Sequence, residues 1–400
     1  MTGPAWNPPP STPQDPIIVA ARRTPIGRAG GCLKTLTVDA LLVPVLRSLL
    51  QETGLPPAMV SDVVVGNAVG PGGNPARLAL LSAGLPVTLP GMTVDRQCGS
   101  GLAAVNIAAR LIQAGAGEIY IAGGVESVST APWRVEKPRL LHELPRFAHR
   151  ARFAPEALGD PDMGPAAEAI ARTFNISRDR QDEYALSSHQ KAIRAQQEGR
   201  FAAEIVPLAL SSATVIDQDE CPRPKLTHQR LQHLPPAFSA DGTVTVGNAC
   251  PINDGAAAVV MVSRRLFERH GFTRGLRVVD AIAAGVDPTM PGLGPVAAIE
   301  ALLARQSATG QGLNLDDIHR IEFNEAFAAQ VLACADRLGL DPARLNVDGG
   351  AIALGHPYGA SGAILVTRLF SLLKEPGALG LATLGIGGGL GIATLVESVA

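Results

Sequence analysis

Two short stretches of the chain carry side chains suited to nucleophilic chemistry. In "DRQCGSG", Cys98 stands between the strand-like "MTVD" and the start of an apolar helix. A thiol at a helix N-terminus meets unpaired N–H groups whose partial positive charge favours the thiolate. Gly99 and Gly101 leave room for a substrate to approach. The competing reading is a buried, inert cysteine, the commoner state of a free thiol. His356 lies in "GGAIALGHPYGASGA", again a small-residue turn that feeds an apolar helix. Taken alone it reads as a structural histidine. It occupies in the second half of the chain the place that Cys98 occupies in the first, so a pseudo-twofold fold sets the two face to face as nucleophile and activating base. Asn324, in "NEAFA" at the end of an apolar strand, is placed to hold a water or to donate toward an oxyanion.

These residues need a scaffold of short buried strands. "PIIVAARRTPIG", "VSDVVVGNAV" and "EIYIAGGVESVS" are apolar runs that end in Gly, Asn or Ser, and between the last two "GSGLAAVNIAARLIQAG" predicts a helix buried nearly all round. "RIEFNEAFAAQVLACADRLG", the His356 segment and "LATLGIGGGLGIATL" repeat this order, which predicts a duplicated β-α-β unit. The halves are expected at residues 16–129 with 242–276, and at 277–400. Residues 130–241 are more polar and Pro-punctuated, and are expected to form an inserted domain with a helix in "SRDRQDEYALSSHQKAIRAQQEGR". Residues 1–15 are expected to be a disordered tail, without the cationic start and apolar core of a signal peptide.

Composition narrows the function classes. A net charge of −2 with scattered Lys and Arg argues against a nucleic-acid partner. The five cysteines form an odd set with no CxxC pair, which indicates neither a disulfide framework nor a metal site and fits a reducing cytoplasm. Pro376 to Val396 carries no charge and reaches membrane-spanning length, but its glycines point to two sheet strands instead. No nucleotide-binding glycine motif occurs, so no resident cofactor is expected.

With "DRQCGSG", "NEAFA", "GGAIALGHPYGASGA" and "GIGGGLGIA" in this order, and "RTPIG", "GRFAAEIVPL", "GTVTVGNA" and "NDGAAAVV" between them, the chain resembles the thiolase family of acetyl-CoA C-acyltransferases over nearly its whole length. The resemblance implies an α/β fold of two β-α-β-α-β-α-β-β halves in five layers, αβαβα, with an inserted loop domain that binds coenzyme A. It implies that an acyl-CoA acylates Cys98 and that His356 draws off the thiol proton. Asn324, through a water, and His356 would form one oxyanion hole, and the backbone N–H groups of Cys98 and Gly387 the other. Cys250, Arg223 and Met163 are the candidate coenzyme A contacts. Acyl-CoA thioesters are the expected substrates, degradative thiolysis the expected direction, and a homodimer or homotetramer the expected assembly.

One position departs from the family. Its last motif usually reads Cys-x-Gly-Gly-Gly, with that cysteine moving the α-proton of the second acyl-CoA, and here the position is Gly385. The smaller residue is expected to open space beside Cys98 for a bulkier acyl chain or a water. Cys250, in "GNACPINDG" where the family commonly has a small hydroxyl residue, is a substitute proton carrier on one reading and a neutral exchange on the other. Three functions stay open: an atypical thiolase, a decarboxylating Cys-His-Asn condensing enzyme, which needs no base because loss of CO₂ generates the carbanion, and a non-catalytic coenzyme A-binding protein.

Overall fold

The computed structural model describes residues 6, 8–310 and 312–400. One supersecondary unit occurs twice. In the first half β1 (Pro16–Arg23), α1 (Val38–Thr53), β2 (Asp62–Gly66), α2 (Pro75–Ser82), β3 (Gly91–Val94), α3 (Ser100–Gln113) and β4 (Ile119–Ser127) follow one another. An excursion carrying α4 (Met163–Thr173) and α5 (Arg178–Gln197) then returns the chain to β5 (Asn253–Ser263). The second half runs β6 (Gly275–Gly285), α6 (Gly294–Ala308), β7 (Arg320–Phe323), α7 (Ala328–Leu338), α8 (Tyr358–Leu372), β8 (Leu379–Ile386) and β9 (Leu390–Val399).

The strands form one continuous sheet whose two halves have matching orders, β3-β2-β4-β5-β1 and β7-β8-β9-β6. Leu345, bridged in parallel to Ile321 of β7, stands where the first half has β3. Neighbours joined through a crossover helix are parallel, and those at the β5 and β9 ends are antiparallel. The halves of the sheet are joined where Ile17 and Ile18 of β1 pair with Arg277 and Leu276 of β6.

Strand alternation produces five layers. Along β5, Ala258, Val260 and Val262 face α1 and α2, whereas Val259 and Met261 face α3 and α8. Along β8, Leu381 faces α6 and α7, whereas Leu384 and Ile386 face the central helices. Both faces of each sheet are therefore covered, which is why these strands read as near-continuous apolar runs. The charge-free stretch forms β8 and β9, and no described helix is long and apolar enough to cross a membrane.

The helices α3 and α8 approach closely because their facing residues are small. A Cβ on Gly101 would lie 2.6 Å from the Gly359 carbonyl oxygen, and one on Gly362 would overlap the Leu102 backbone. This seam sets the distance between the Cys98 and His356 turns. The helix α3 is less enclosed than its sequence predicts: Asn106, Ile107 and Leu111 are half-buried and Arg110 is exposed, beside Ala281 to Ala283 of β6.

Two segments outside the repeat make contacts with it. Residues 130–241 do not enclose a core of their own among the described residues; Ala167, Ala171, Ile170 and Ala185 pack on Ala329, Ala333 and Ala328 of α7. The segment also packs on the first half, where Phe201 and Ile205 join Ile26 and Ala257, and Arg23 pairs with Glu204 and Asp219. In the described part of the expected tail Asp15 pairs with Arg264 and Arg277, and Arg277 donates to the Pro9 carbonyl. Residues 1–5 and 7 of that tail lie outside the described residues.

Candidate active site

Cys98 lies in a braced turn. Gln97 adopts φ +48°, and its N–H donates to Asp95 Oδ1 at 2.7 Å. Ser100 Oγ accepts from the Arg96 N–H at 2.8 Å and donates to the Gln97 carbonyl at 2.6 Å. Gly99 caps α3, so the thiol sits just before the helix begins. The expected lowering of its pKa is overturned. Burial pushes the thiol up to about 12, with the Glu126 and Asp95 carboxylates adding to the rise. The backbone N–H groups of Cys98 and Gly387 both act in the opposite direction, favouring negative charge on the sulfur. A helix terminus therefore does not ionise this thiol, because desolvation outweighs the dipole.

His356 is buried and enters the site on a rigid loop. Its N–H donates to Asn253 Oδ1 at 2.8 Å, its Nδ1 lies 2.6 Å from Ser361 Oγ, and its Nε2 lies 3.4 Å from Asn324 Nδ2. An asparagine amide can only donate from Nδ2, so this network assigns the proton to Nδ1 and leaves Nε2 as the acceptor. Burial lowers its pKa to about 4, so the imidazole is neutral at physiological pH. The resting pair is thus thiol and neutral imidazole rather than thiolate and imidazolium. The Tyr358 ring stands edge-on to the imidazole at 5.2 Å and limits its rotation.

The remaining sequence-derived residues fall at different distances from this centre. Cys250 is half-buried, with its N–H donating to the Ala326 carbonyl at 3.0 Å. Burial and the nearby Cys98 push its thiol well up, which disfavours a thiolate there. Arg223 is exposed, two residues from Cys221, whose sulfur accepts from Asn253 Nδ2 at 3.2 Å beside the His356 loop. Met163 is half-buried at the first turn of α4, and no hydrogen bond or charge ties it to the Cys98 turn.

The expectation that Gly385 opens space beside Cys98 is corrected. A Cβ built on Gly385 would overlap the Gln330 carboxamide nitrogen and would lie 3.3 Å from the Pro291 carbonyl oxygen. The room left by the absent side chain is filled from α7. Beyond it, Gly388 and Gly389 adopt φ +85° and +80°, and Phe153 from the inserted segment lies over Gly387.

Sequence reasoning missed several supporting groups. Glu126, at the end of β4, accepts from the N–H groups of Ala68, Val69 and Gly359 at 2.9, 3.2 and 3.0 Å and so clamps loops from both halves. Burial raises its pKa to about 7. A lone carboxylate inside "AGGVES" was the available signal. Asn253 and Gln330 left none, because an amide in an apolar run carries no charge pattern.

Residues 16–265 match the thiolase N-terminal domain, and residues 273–398 match the thiolase C-terminal domain. A Staphylococcus haemolyticus protein described as a putative acetyl-CoA C-acetyltransferase VraB is 47% identical over 386 residues, covering 96% of this chain and 99% of that protein. Its Staphylococcus aureus counterpart is 45% identical over 381 residues, covering 95% and 98%. The crystal structure of the Bacillus anthracis acetyl-CoA acetyltransferase superposes with a TM-score of 0.89 at 39% identity, covering 96% of this chain and 99% of that one. Human mitochondrial 3-ketoacyl-CoA thiolase in complex with CoA superposes with a TM-score of 0.89 at 36% identity, covering 97% and 99%.

Proposed function

The chain belongs to the thiolase family of acyltransferases, and from that premise we propose that it moves acyl groups between coenzyme A and carbon through an acyl–Cys98 thioester. The observation that carries this reading is the neutral His356 Nε2, held by Ser361 and Asn324 as an acceptor, together with two backbone N–H groups aimed at the Cys98 sulfur. In the proposed first step the Cys98 S–H proton passes to His356 Nε2 while the sulfur attacks the thioester or β-keto carbon. The Cys98 and Gly387 N–H groups receive the charge that develops on the carbonyl oxygen. When the tetrahedral species collapses, the C–S bond to coenzyme A breaks in acyl transfer, or the Cα–Cβ bond breaks in thiolysis. Asn324 and His356 then face the oxygen of the leaving enolate, and the proton held on His356 Nε2 passes to the departing coenzyme A thiolate in acyl transfer or, by way of water, to the enolate carbon in thiolysis.

Thiolysis of a β-ketoacyl-CoA is the proposed direction, since Claisen condensation of two thioesters is the uphill one. The inserted segment, which carries Phe153 over the Gly387 turn and Arg223 at the rim, is the proposed seat of coenzyme A. Gly385 favours a second reading, decarboxylating condensation, because a carbanion formed by loss of CO₂ needs no base. Incubation with acetyl-CoA followed by peptide mass mapping is expected to find one acetyl group, on Cys98. Acetyl on another residue, or none, overturns the proposal; CO₂ release from malonyl-CoA without acylation from acetyl-CoA supports the second reading.

We also propose self-association, with the localisation of such a coenzyme A enzyme in the cytoplasm. The hairpin of Arg134–Glu136 and Arg146–Ala148 presents Trp133, Leu141, Leu144 and Phe147 at 84%, 109%, 83% and 73% exposure. Exposed apolar side chains gathered on one hairpin, with the Trp133 and Phe147 rings 5.6 Å apart, support an interaction site there. Replacing Trp133 and Leu141 by Ser is expected to lower the mass measured by light scattering; an unchanged mass removes the hairpin from the interface.

A further inference from the structure

A buried carboxylate next to Asn324 grips the elements that carry both Asn324 and His356. Glu325 is 1% exposed, and none of the donors that reach it carries a charge. The Tyr184 hydroxyl at 2.9 Å and Asn346 Nδ2 at 2.7 Å donate to Oε1. Ser188 Oγ at 2.7 Å and the Ile352 N–H at 3.2 Å donate to Oε2.

Each oxygen serves one side of the site. From Oε2 the grip reaches the His356 turn directly at Ile352, and again at Gly350, whose N–H donates to Ser188 Oγ at 3.1 Å. The turn lies so close that a Cβ on Gly350 would overlap the carboxylate carbon. Farther along, Asn253 accepts from the His356 N–H and Glu126 from the Gly359 N–H, so the segment is pinned on both sides of the imidazole. From Oε1 the grip passes through Asn346 to the strand end. Asn346 Oδ1 accepts from the Phe323 N–H at 2.8 Å, and its Nδ2 donates to the Phe323 carbonyl at 2.9 Å, one residue before Asn324. Tyr184 and Ser188 both belong to α5, so the same carboxylate attaches the inserted segment. That helix has other anchors: Asn248 Nδ2 donates to Asp182 at 2.9 Å, and Lys191 donates to the Leu345 carbonyl at 3.1 Å.

Resting on the acyl–Cys98 reading, we propose that Glu325 is a positioning residue that holds His356 Nε2 and Asn324 Nδ2 in register by tying the His356 turn and the Asn324 strand end to α5. The two nitrogens stand 3.4 Å apart although 32 positions separate their residues, so a common anchor is what keeps them paired. Only a carboxylate satisfies donors that converge on both oxygens. A carboxamide of the same shape has one accepting oxygen and turns its own N–H groups on the other pair, so that either the His356 turn or the Asn324 strand end loses its hold.

Glu325→Gln makes the test, read by rapid-quench acylation with acetyl-CoA and intact mass at pH 8. The maximal acylation rate of Cys98 is expected to fall roughly 10–100-fold, the effect of a displaced reacting group. The acetyl-CoA concentration at half-maximal rate is expected to stay within about twofold, because α5 keeps its other anchors. In the His356→Ala background the same substitution is expected to change the rate by less than about twofold, since Glu325 acts on acylation only through the imidazole. An unchanged maximal rate in Glu325→Gln overturns the inference, as does a loss confined to the half-saturating concentration. An equal loss in both backgrounds also overturns it, because a merely structural role would act without His356. Should Glu325→Gln fail to fold, Ser188→Ala cuts the link to Gly350 alone and must lower the native rate by roughly threefold or more without lowering that of His356→Ala. No acetyl–Cys98 in the native protein overturns the underlying reading, whereas acetylation that neither variant slows overturns the role of Glu325 alone.

Discussion

His356→Ala is expected to slow acylation of Cys98 roughly 10²–10⁴-fold at neutral pH, the usual worth of a positioned general base. The larger consequence is in the pH profile. In the native protein the imidazole, with its pKa lowered to about 4, is already neutral throughout the range above pH 5, so its capacity to take the thiol proton does not change there. The acylation rate should be nearly flat. Without His356 only the thiolate reacts, and the thiol pKa of about 12 makes its fraction rise tenfold per pH unit over the whole accessible range. The log rate of His356→Ala should therefore climb with a slope near one from pH 6 to 10 and approach the native rate at the alkaline end. Ser361→Ala, which releases Nδ1, should fall between the two. Rapid-quench acylation with acetyl-CoA followed by intact mass checks this. A native rate that rises as steeply as that of the variant would mean that no base assists the thiol.

Non-decarboxylative condensation of two acetyl-CoA molecules is expected to be very slow in the native protein, while acyl exchange into Cys98 persists. The strand end keeps its N–H toward the sulfur but has no group able to move the α-proton, and Cys250 is held as a thiol by burial. Restoring a thiol with Gly385→Cys should raise condensation and thiolysis by about 10²–10⁴-fold and leave acylation of Cys98 nearly unchanged. The gain requires the Gln330 carboxamide to swing away, since it overlaps the new Cβ. Displacing the far end of a flexible side chain needs no backbone movement, and pairing Gly385→Cys with Gln330→Ala should give the full effect if the single variant gives part of it. Coupled spectrophotometric assays of acetoacetyl-CoA formation and cleavage measure both directions. Native condensation at ordinary thiolase rates, or no gain in either variant, would show that another residue carries the proton, with Cys250→Ser the next substitution to assay.

Much of this protein was legible without coordinates, and the reason lies in its chemistry. The duplicated order of strands and helices was readable because both faces of each sheet are buried, so every strand leaves an apolar run and every turn a cluster of small residues. Cys98 and Asn324 were readable because each follows such a run where a strand ends, and His356 because, like Cys98, it stands in a small-residue turn before an apolar helix. Gly385 was readable as a departure because the glycines around it were intact.

What the sequence could not settle is what desolvation and packing decide. The same thiol at a helix start was expected to be acidic, and desolvation, with Glu126 nearby, raises its pKa instead, which in the proposed mechanism leaves its ionisation to His356. The missing side chain at 385 was expected to leave a void, and a glutamine 55 positions earlier fills it, because α7 lies directly over the end of β8. The polar segment 130–241 was expected to form an inserted domain, and its apolar side chains pack on both halves. Residue types and local order are written along the chain, and they pointed to the repeat and to Cys98 and His356 as the proposed nucleophile and base. Solvent exclusion and contacts between distant residues are sums over the whole molecule, and only the tertiary structure decided the charge on the thiol and the occupant of the space beside Gly385.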